Sequence, residues 1–265
     1  MDSEQSPSFS PELINTVQII EQRQGWLREY LIQSGVEPLP FVYSKNLNDN
    51  HKDIAEEIRT KLELTDKWTS NLPNWETALK FLMEKTEETG INVIRNGVVG
   101  NNTHRKLNYK EFRGFVIVDN YAPFVFINGS DFKSAQMFTL AHELAHIWLG
   151  SSAVSDLRNL QTAKDETEIL CDKVAAEFLV PGNFLIEKWN DFRETGNPFQ
   201  AIARSFKVSE LVAARRSLDL KLISKSDFIE FYSKYINKIP IQKNKDKRGG
   251  NYYNNQPFRI GRTIC

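Results

Sequence analysis

The stretch Thr139-Leu140-Ala141-His142-Glu143-Leu144-Ala145-His146-Ile147-Trp148-Leu149-Gly150 sets two histidines four residues apart in an apolar helical run, with a glutamate directly after the first. Four residues of α-helix amount to about 400° of rotation and roughly 6 Å of rise, so His142 and His146 project from one face and offer two imidazole nitrogens to one tetrahedral metal. Glu143 lies about 100° round the helix from His142, which puts it beside the open position of the metal rather than on it. A base is needed there, because zinc lowers the pKa of a water it holds to about 7 and a neighbouring carboxylate can take the proton. Phe138, Leu140, Leu144 and Ile147 surround the pattern, and two of only four histidines are spent on it. That context favours zinc over a packed helix with incidental histidines.

Two histidines do not complete a catalytic zinc site, so a third protein ligand is expected. In the following helical run, to Pro181, Glu168 and Asp172 are four apart and share a face with Cys171. Glu166 and Glu177 are turned about 160 to 180° away from Glu168. Glu168 is therefore the expected ligand. Asp172, one turn on, is placed to accept the spare N–H of a zinc-bound histidine, which fixes its tautomer and raises its basicity; the alternative for Asp172 is a solvent face. Cys171 sits beside apolar Leu170 and near Val174, and reads as a small buried hydrophobe rather than a ligand.

Several segments in order resemble the ImmA/IrrE metallo-endopeptidases: Arg113-Gly114-Phe115-Val116, Pro123 to Asn128, Phe138 to His146, Glu168 to Asp172, and Ala175 to Pro181. The similarity runs from about Ala55 to about Tyr235, and the histidine and Glu168 motifs are its most specific parts. The resemblance implies an α+β fold: a mostly helical zincin-like peptidase domain with a small sheet ahead of the histidine helix. It implies one Zn2+ per chain on His142, His146 and Glu168, with Glu143 as base. It also implies a protein substrate, such as a helix-turn-helix repressor or other regulator of a mobile element or stress system. Family members often carry a helix-turn-helix at their N-terminus. None is read here, which leaves direct DNA binding weakly supported.

Lysine plus arginine equals aspartate plus glutamate at 34 each, so the overall field argues for neither nucleic acid nor an anionic membrane. No signal peptide or membrane span is read from the sequence, and two cysteines, Cys171 and Cys265, give no disulfide framework. A cytoplasmic protein is expected. The expected divisions are an N-terminal helix and linker (1–50), the peptidase domain (51–195), a helical hairpin of helix-turn-helix outline (196–238) and a basic tail (239–265).

Helices are expected over Pro11 to Ser34, His51 to Leu62 and Trp75 to Thr89, with Pro38 to Asn50 as the linker. Ile91 to Val99, Phe112 to Asp119 and Pro123 to Asn128 read as strands. The last, with Phe124, Phe126 and Asn128, reads as an ordinary core strand or as an edge to which an extended substrate adds, the edge being what the resemblance to thermolysin-like enzymes favours. Gly100 to Lys110 reads as a polar loop in which His104 is a candidate oxyanion contact; Tyr109 and Tyr121 have no better claim. Trp26, Trp68, Trp75 and Phe81 read as core, with a peptide groove as the alternative. In the hairpin, Arg204, Lys207, Arg215 and Arg216 are available to phosphates if the segment binds nucleic acid. The basic tail reads as a solvated segment with the same nucleic-acid alternative, and its Gly249-Gly250-Asn251-Tyr252-Tyr253 stretch resembles one inside longer family members. Two functions follow: a zinc endopeptidase, or a non-catalytic zinc-containing regulator or antitoxin component of the same fold.

Overall fold

The structure, a computed structural model, describes residues 9–151 and 166–238. The basic tail and Cys265 lie outside the described residues. Three helices come first: α1 (Pro11–Gln33), α2 (His51–Lys61) and α3 (Trp75–Glu88). Each starts on a polar side chain that accepts from a first-turn amide: Ser10 from Leu13, Asn50 from Lys52, and Asn74 from Thr77. Those amides would otherwise have no partner in the helix. Next come strands β1 (Asn92–Asn96), β2 (Val98–Val99), β3 (Asn102–Lys106), β4 (Gly114–Ile117) and β5 (Phe124–Asn128). Helices α4 (Lys133–Leu149), α5 (Glu166–Leu179), α6 (Gly182–Glu194), α7 (Pro198–Phe206), α8 (Glu210–Asp219) and α9 (Lys225–Lys238) follow. The architecture is a mostly helical α+β fold with its small sheet ahead of the histidine helix.

The main sheet has the order β1-β5-β4, with β5 parallel to β1 and antiparallel to β4. Side chains alternate between its two faces. Val93, Val116, Val125 and Ile127 face a core shared with Leu79 and Leu82 of α3 and Leu140 and Leu144 of α4. Ile94, Phe115, Phe124 and Phe126 face a second core closed by Leu13, Ile20 and Leu27 of α1. The edge role expected for β5 is therefore wrong: β5 is the central strand and is buried at all five positions. A strand apolar on both faces needs cover on both, and the middle of a covered sheet supplies it. Asn128 is not a substrate contact either. It is wholly buried, its Nδ2 donates to Phe112 O at 3.1 Å, and its Oδ1 accepts from Ser130 N at 3.0 Å.

Residues 102–106, expected as part of a loop, form β3 and pair antiparallel with β2. No apolar alternation marks this strand, which is exposed at four of its five positions. Register with β2 and the ion pair of Arg105 with Glu12 of α1, at 3.2 Å, hold it instead. The stretch read as a linker is also tied down. Tyr43 and Lys45 donate their N–H groups to Ile147 O (3.2 Å) and Trp148 O (2.9 Å), giving partners to carbonyls in the last turn of α4. Phe41 stacks on buried Trp148 at 4.6 Å, so this segment fixes the end of the histidine helix. Of the aromatics read as core, Trp68 and Phe81 stack together and pack on the first core, and Trp75 donates to Val208 O at 3.2 Å. Trp26 departs from that reading: it is 60% exposed, stacked on Tyr30.

The C-terminal helices are locked onto α5. Lys207 takes the left-handed conformation (φ 55°) that ends α7 where the sequence offers no glycine. Arg216 of α8 is buried, forms an ion pair with Glu177 of α5 and donates to Val180 O at 3.0 Å. Lys207 is also buried, and its Nζ donates to Arg204 O at 2.6 Å. Arg215 is paired with Asp219 at 3.1 Å. The four cations considered for phosphates are thus not a free set. Arg216 and Lys207 serve packing, because a buried cation must be paired or hydrogen-bonded.

Candidate metal centre

Helix α4 begins where Gln136, wholly buried, folds its side-chain amide back onto Asp131 O and Gly129 O. It ends at Gly150, whose left-handed φ of 74° lets its N–H reach His146 O. A Cβ at Gly150 would collide with the ring of Tyr43, so the glycine is required for space as well as for conformation. The turn it makes carries Ser151 back over the helix end, where Ser151 Oγ lies 2.6 Å from His146 Nδ1. Sequence reasoning missed Ser151, although a serine directly after a helix-ending glycine is the available signal.

His142 and His146 share one face of α4, and α5 crosses so that Glu168 meets both. His142 Nε2 and His146 Nε2 are 3.0 Å apart. Glu168 Oε2 is 3.1 Å from the first, and its Oε1 is 3.2 Å from the second. Asp172 Oδ1 lies 3.0 Å from His142 Nδ1. An ionised Asp172 can only accept, so His142 Nδ1 carries the proton, and the Nε2 of a neutral ring then presents a lone pair. The structure thus brings together His142, His146, Glu168 and Asp172.

This donor set fits zinc. A tetrahedron with bonds of about 2.0–2.1 Å has edges of about 3.3–3.4 Å; the two Nε2 atoms are 3.0 Å apart, and the two oxygens of the Glu168 carboxylate each reach one of them, at 3.1 and 3.2 Å. The three atoms form a group able to hold one metal ion. Two nitrogens and one carboxylate oxygen are the ligand types of catalytic zinc, and three ligands leave the fourth position open. Among the protein groups alone, burial disfavours charge on His142, but the hydrogen bonds of Asp172 and Glu168 outweigh it and push its pKa up to about 10. Hydrogen bonds to His142 and His146 hold Glu168 well below the usual carboxylate range. The cluster favours a positive charge at its centre, whether proton or metal.

Glu143 points elsewhere, as the helical turn requires. It is 5% exposed, and no described protein group hydrogen-bonds its Oε2. Burial raises its pKa above the ordinary carboxylate value, while His146 and His142 pull the other way. It lies against β4 at Gly114, where a Cβ would run into Thr139 and Phe126 O and reach within 3.5 Å of Glu143 Oε1. A glycine here lets the strand approach the Glu143 carboxylate closely.

A cleft of about 460 Å³ opens over these groups, lined by Tyr109 to Gly114 on one side and by Phe138, Thr139, His142, Glu143 and Asp172 on the other. His104 is not among its lining residues. It lies exposed on β3, in the hairpin held by α1, so its expected oxyanion role is not supported. Tyr109, which had no stronger claim in the sequence, does line the cleft. Cys171 is wholly buried in the first core beside the site and takes no part in the donor group.

A donor triad built by two crossed helices, with a small sheet at the mouth of the cleft, defines the class of zincin-like peptidase domains. The particular family follows from comparison: the IrrE N-terminal-like domain model of the peptidase M78 family matches residues 86–218, half of the chain. The chain belongs to this family, the ImmA/IrrE one that its sequence resembles. It is by that membership a peptidase-family hydrolase. No curated protein matches it. No helix among the described residues is long and apolar enough to cross a membrane.

Proposed function

We propose that this protein is a zinc-dependent endopeptidase holding one zinc on His142, His146 and Glu168, and that its substrate is a protein. The observation that carries the reading is Glu143: a buried carboxylate with one oxygen unpartnered, in the same cleft as three converging metal-type donors. A structural site has no use for such a group, and leaving it unpaired costs roughly 1–3 kcal/mol or more. A base must have one oxygen available. Zinc, when bound, would polarise the scissile carbonyl as a Lewis acid and acidify the attacking water.

The residues of the chain do the rest. Asp172 and Ser151 orient the two imidazoles through their Nδ1 atoms. Glu143 takes the proton from the attacking water and returns it to the departing amine. The substrate backbone lies along the Gly114 end of β4, which pairs with β5 on one side only among the described strands and lines the cleft. A helix-turn-helix repressor or other regulator is the proposed substrate, because the family resemblance implies one, and the cytoplasm is the proposed compartment. Metal analysis of purified protein tests the first step: about one zinc per chain in the wild type and under a tenth of that in His142→Ala. Stoichiometric zinc in that variant would overturn the ligand assignment.

A further inference from the structure

Beside the cleft runs a larger groove, of about 840 Å³, between α5, the start of α2 and α8. The two share Phe138 and Asp172 as lining residues, so the groove is continuous with the proposed catalytic cleft. Phe138 stands one helical turn before His142, and Asp172 touches His142 directly. The groove has an apolar lining, made by Phe138, Ile169, Leu211, Val212 and Leu220. Ile169 is 46% exposed there although it is a large apolar side chain. Its polar rim is asymmetric. The two lining carboxylates are engaged, Asp219 with Arg215 at 3.1 Å and Asp172 with His142 at 3.0 Å. Arg216 is spent on Glu177. Lys52 and Lys173 are exposed lining residues with no ion pair among the described residues. The first turn of α2, which carries His51 and Lys52 into the groove, adds the positive end of a helix.

We infer that this groove seats the substrate polypeptide on one side of the scissile bond, and selects a segment with apolar residues and an acidic residue that faces Lys52 and Lys173. The inference rests on the endopeptidase reading and adds the specificity that the reading lacks. From the His142 end of the cleft across α5 to α8 is about two interhelical spacings, roughly 16–20 Å, which an extended chain covers in about five or six residues. The acidic residue therefore lies about three to six residues from the cleavage point. Burial of apolar side chains in the groove supplies affinity, and the lysines set preference, since exposed charge pairs contribute little each but discriminate against a residue of like charge.

The test uses the zinc-loaded full chain and an equimolar set of synthetic 16-residue peptides, varied at all positions around the cleaved bond, with products read by mass spectrometry. Wild-type protein is expected to enrich acidic residues three to six positions from the cut, on one side only. In Lys52→Glu/Lys173→Glu, the ratio of kcat/KM for acidic over neutral peptides should fall about tenfold, in line with loss of attraction and gain of repulsion at two exposed sites. Both lysines are exposed, and circular dichroism with zinc analysis verifies that the variant is folded and loaded. Cleavage without positional preference, or with a preference that survives the charge reversal, overturns the groove and leaves the endopeptidase reading standing. Cleavage of no peptide at all overturns both.

Discussion

Helix α5 carries two glutamates whose environments differ completely. Glu177 has a side chain 7% exposed, fixed by the Arg216 guanidinium and by the N–H of Gly182 at 3.0 Å. Glu168 has a side chain 43% exposed and faces two imidazole nitrogens across a cleft. The first carboxylate has its charge answered by a cation the chain supplies. The second has it answered by histidines whose own lone pairs also converge, so the group asks for a cation from outside. Residue type and helix are the same; what each face meets decides whether the acid holds the fold or joins a group able to hold a metal.

Breaking each glutamate separately sharpens that contrast. Glu177→Ala leaves the buried Arg216 charge without its carboxylate, with only Val180 O to accept from it, and should cost about 3–5 kcal/mol, read by denaturant unfolding after chelation. Glu168→Ala should change the stability of the chelated protein by less than about 1 kcal/mol, because its ion pairs are partly exposed and screened, while abolishing zinc retention. Equal stability losses from the two would erase the distinction.

One step further out, Asp172→Asn should weaken zinc affinity or activity by about 10 to 100-fold, because the imidazole it orients loses its carboxylate. Affinity is measured by competition with a chelating dye. An unchanged affinity with full activity would return Asp172 to a solvent-facing role.

A third way to probe the same contrast is pH. The folded pKa of His142, about 10, stands above its ordinary 6.5, so its contribution to the stability of chelated protein is complete below pH 6.5 and is lost as pH rises towards 10. Zinc competes with that proton, so apparent zinc affinity should move the opposite way and rise with pH through the same window, by at most about tenfold per unit. Glu168 is held low and stays ionised throughout. Unfolding and zinc competition at pH 6.5, 8 and 9.5 check both signs.

The donor set could be read from the sequence because helical spacing fixes angles: i and i+4 put His142 beside His146 and Glu168 beside Asp172 before any tertiary structure is known. What spacing cannot say is which strand lies where. Pro123 to Asn128 is apolar on both faces, a mark of an interior strand, and only the resemblance to thermolysin-like enzymes favours the edge. The cleft strand is β4, and the small cue is Gly114, needed because β4 packs close against Thr139 and Glu143. Strand β3 was not visible because its side chains are polar and its pairing is a matter of backbone register. The fate of Arg216 was equally hidden, since a cation on a helix reads as available until a buried acid from another element meets it. Ser151 and Tyr109 reach the site through turns, which hydrophobic periodicity does not describe.

The central claim is that the cluster performs chemistry rather than holding structure, and Glu143 alone separates the two. Glu143→Gln keeps size and most hydrogen-bonding capacity and touches no metal donor, so zinc content and fold should match the wild type. Base catalysis contributes about 10² to 10⁴ in rate, so cleavage of a co-expressed regulator should fall by at least a hundredfold and the regulator should accumulate intact. Quantifying the intact regulator by immunoblot, beside zinc analysis of the same preparations, gives the decisive reading. If Glu143→Gln behaves as wild type while His142→Ala abolishes the cellular effect, the metal is structural and the protein is a regulator of peptidase ancestry.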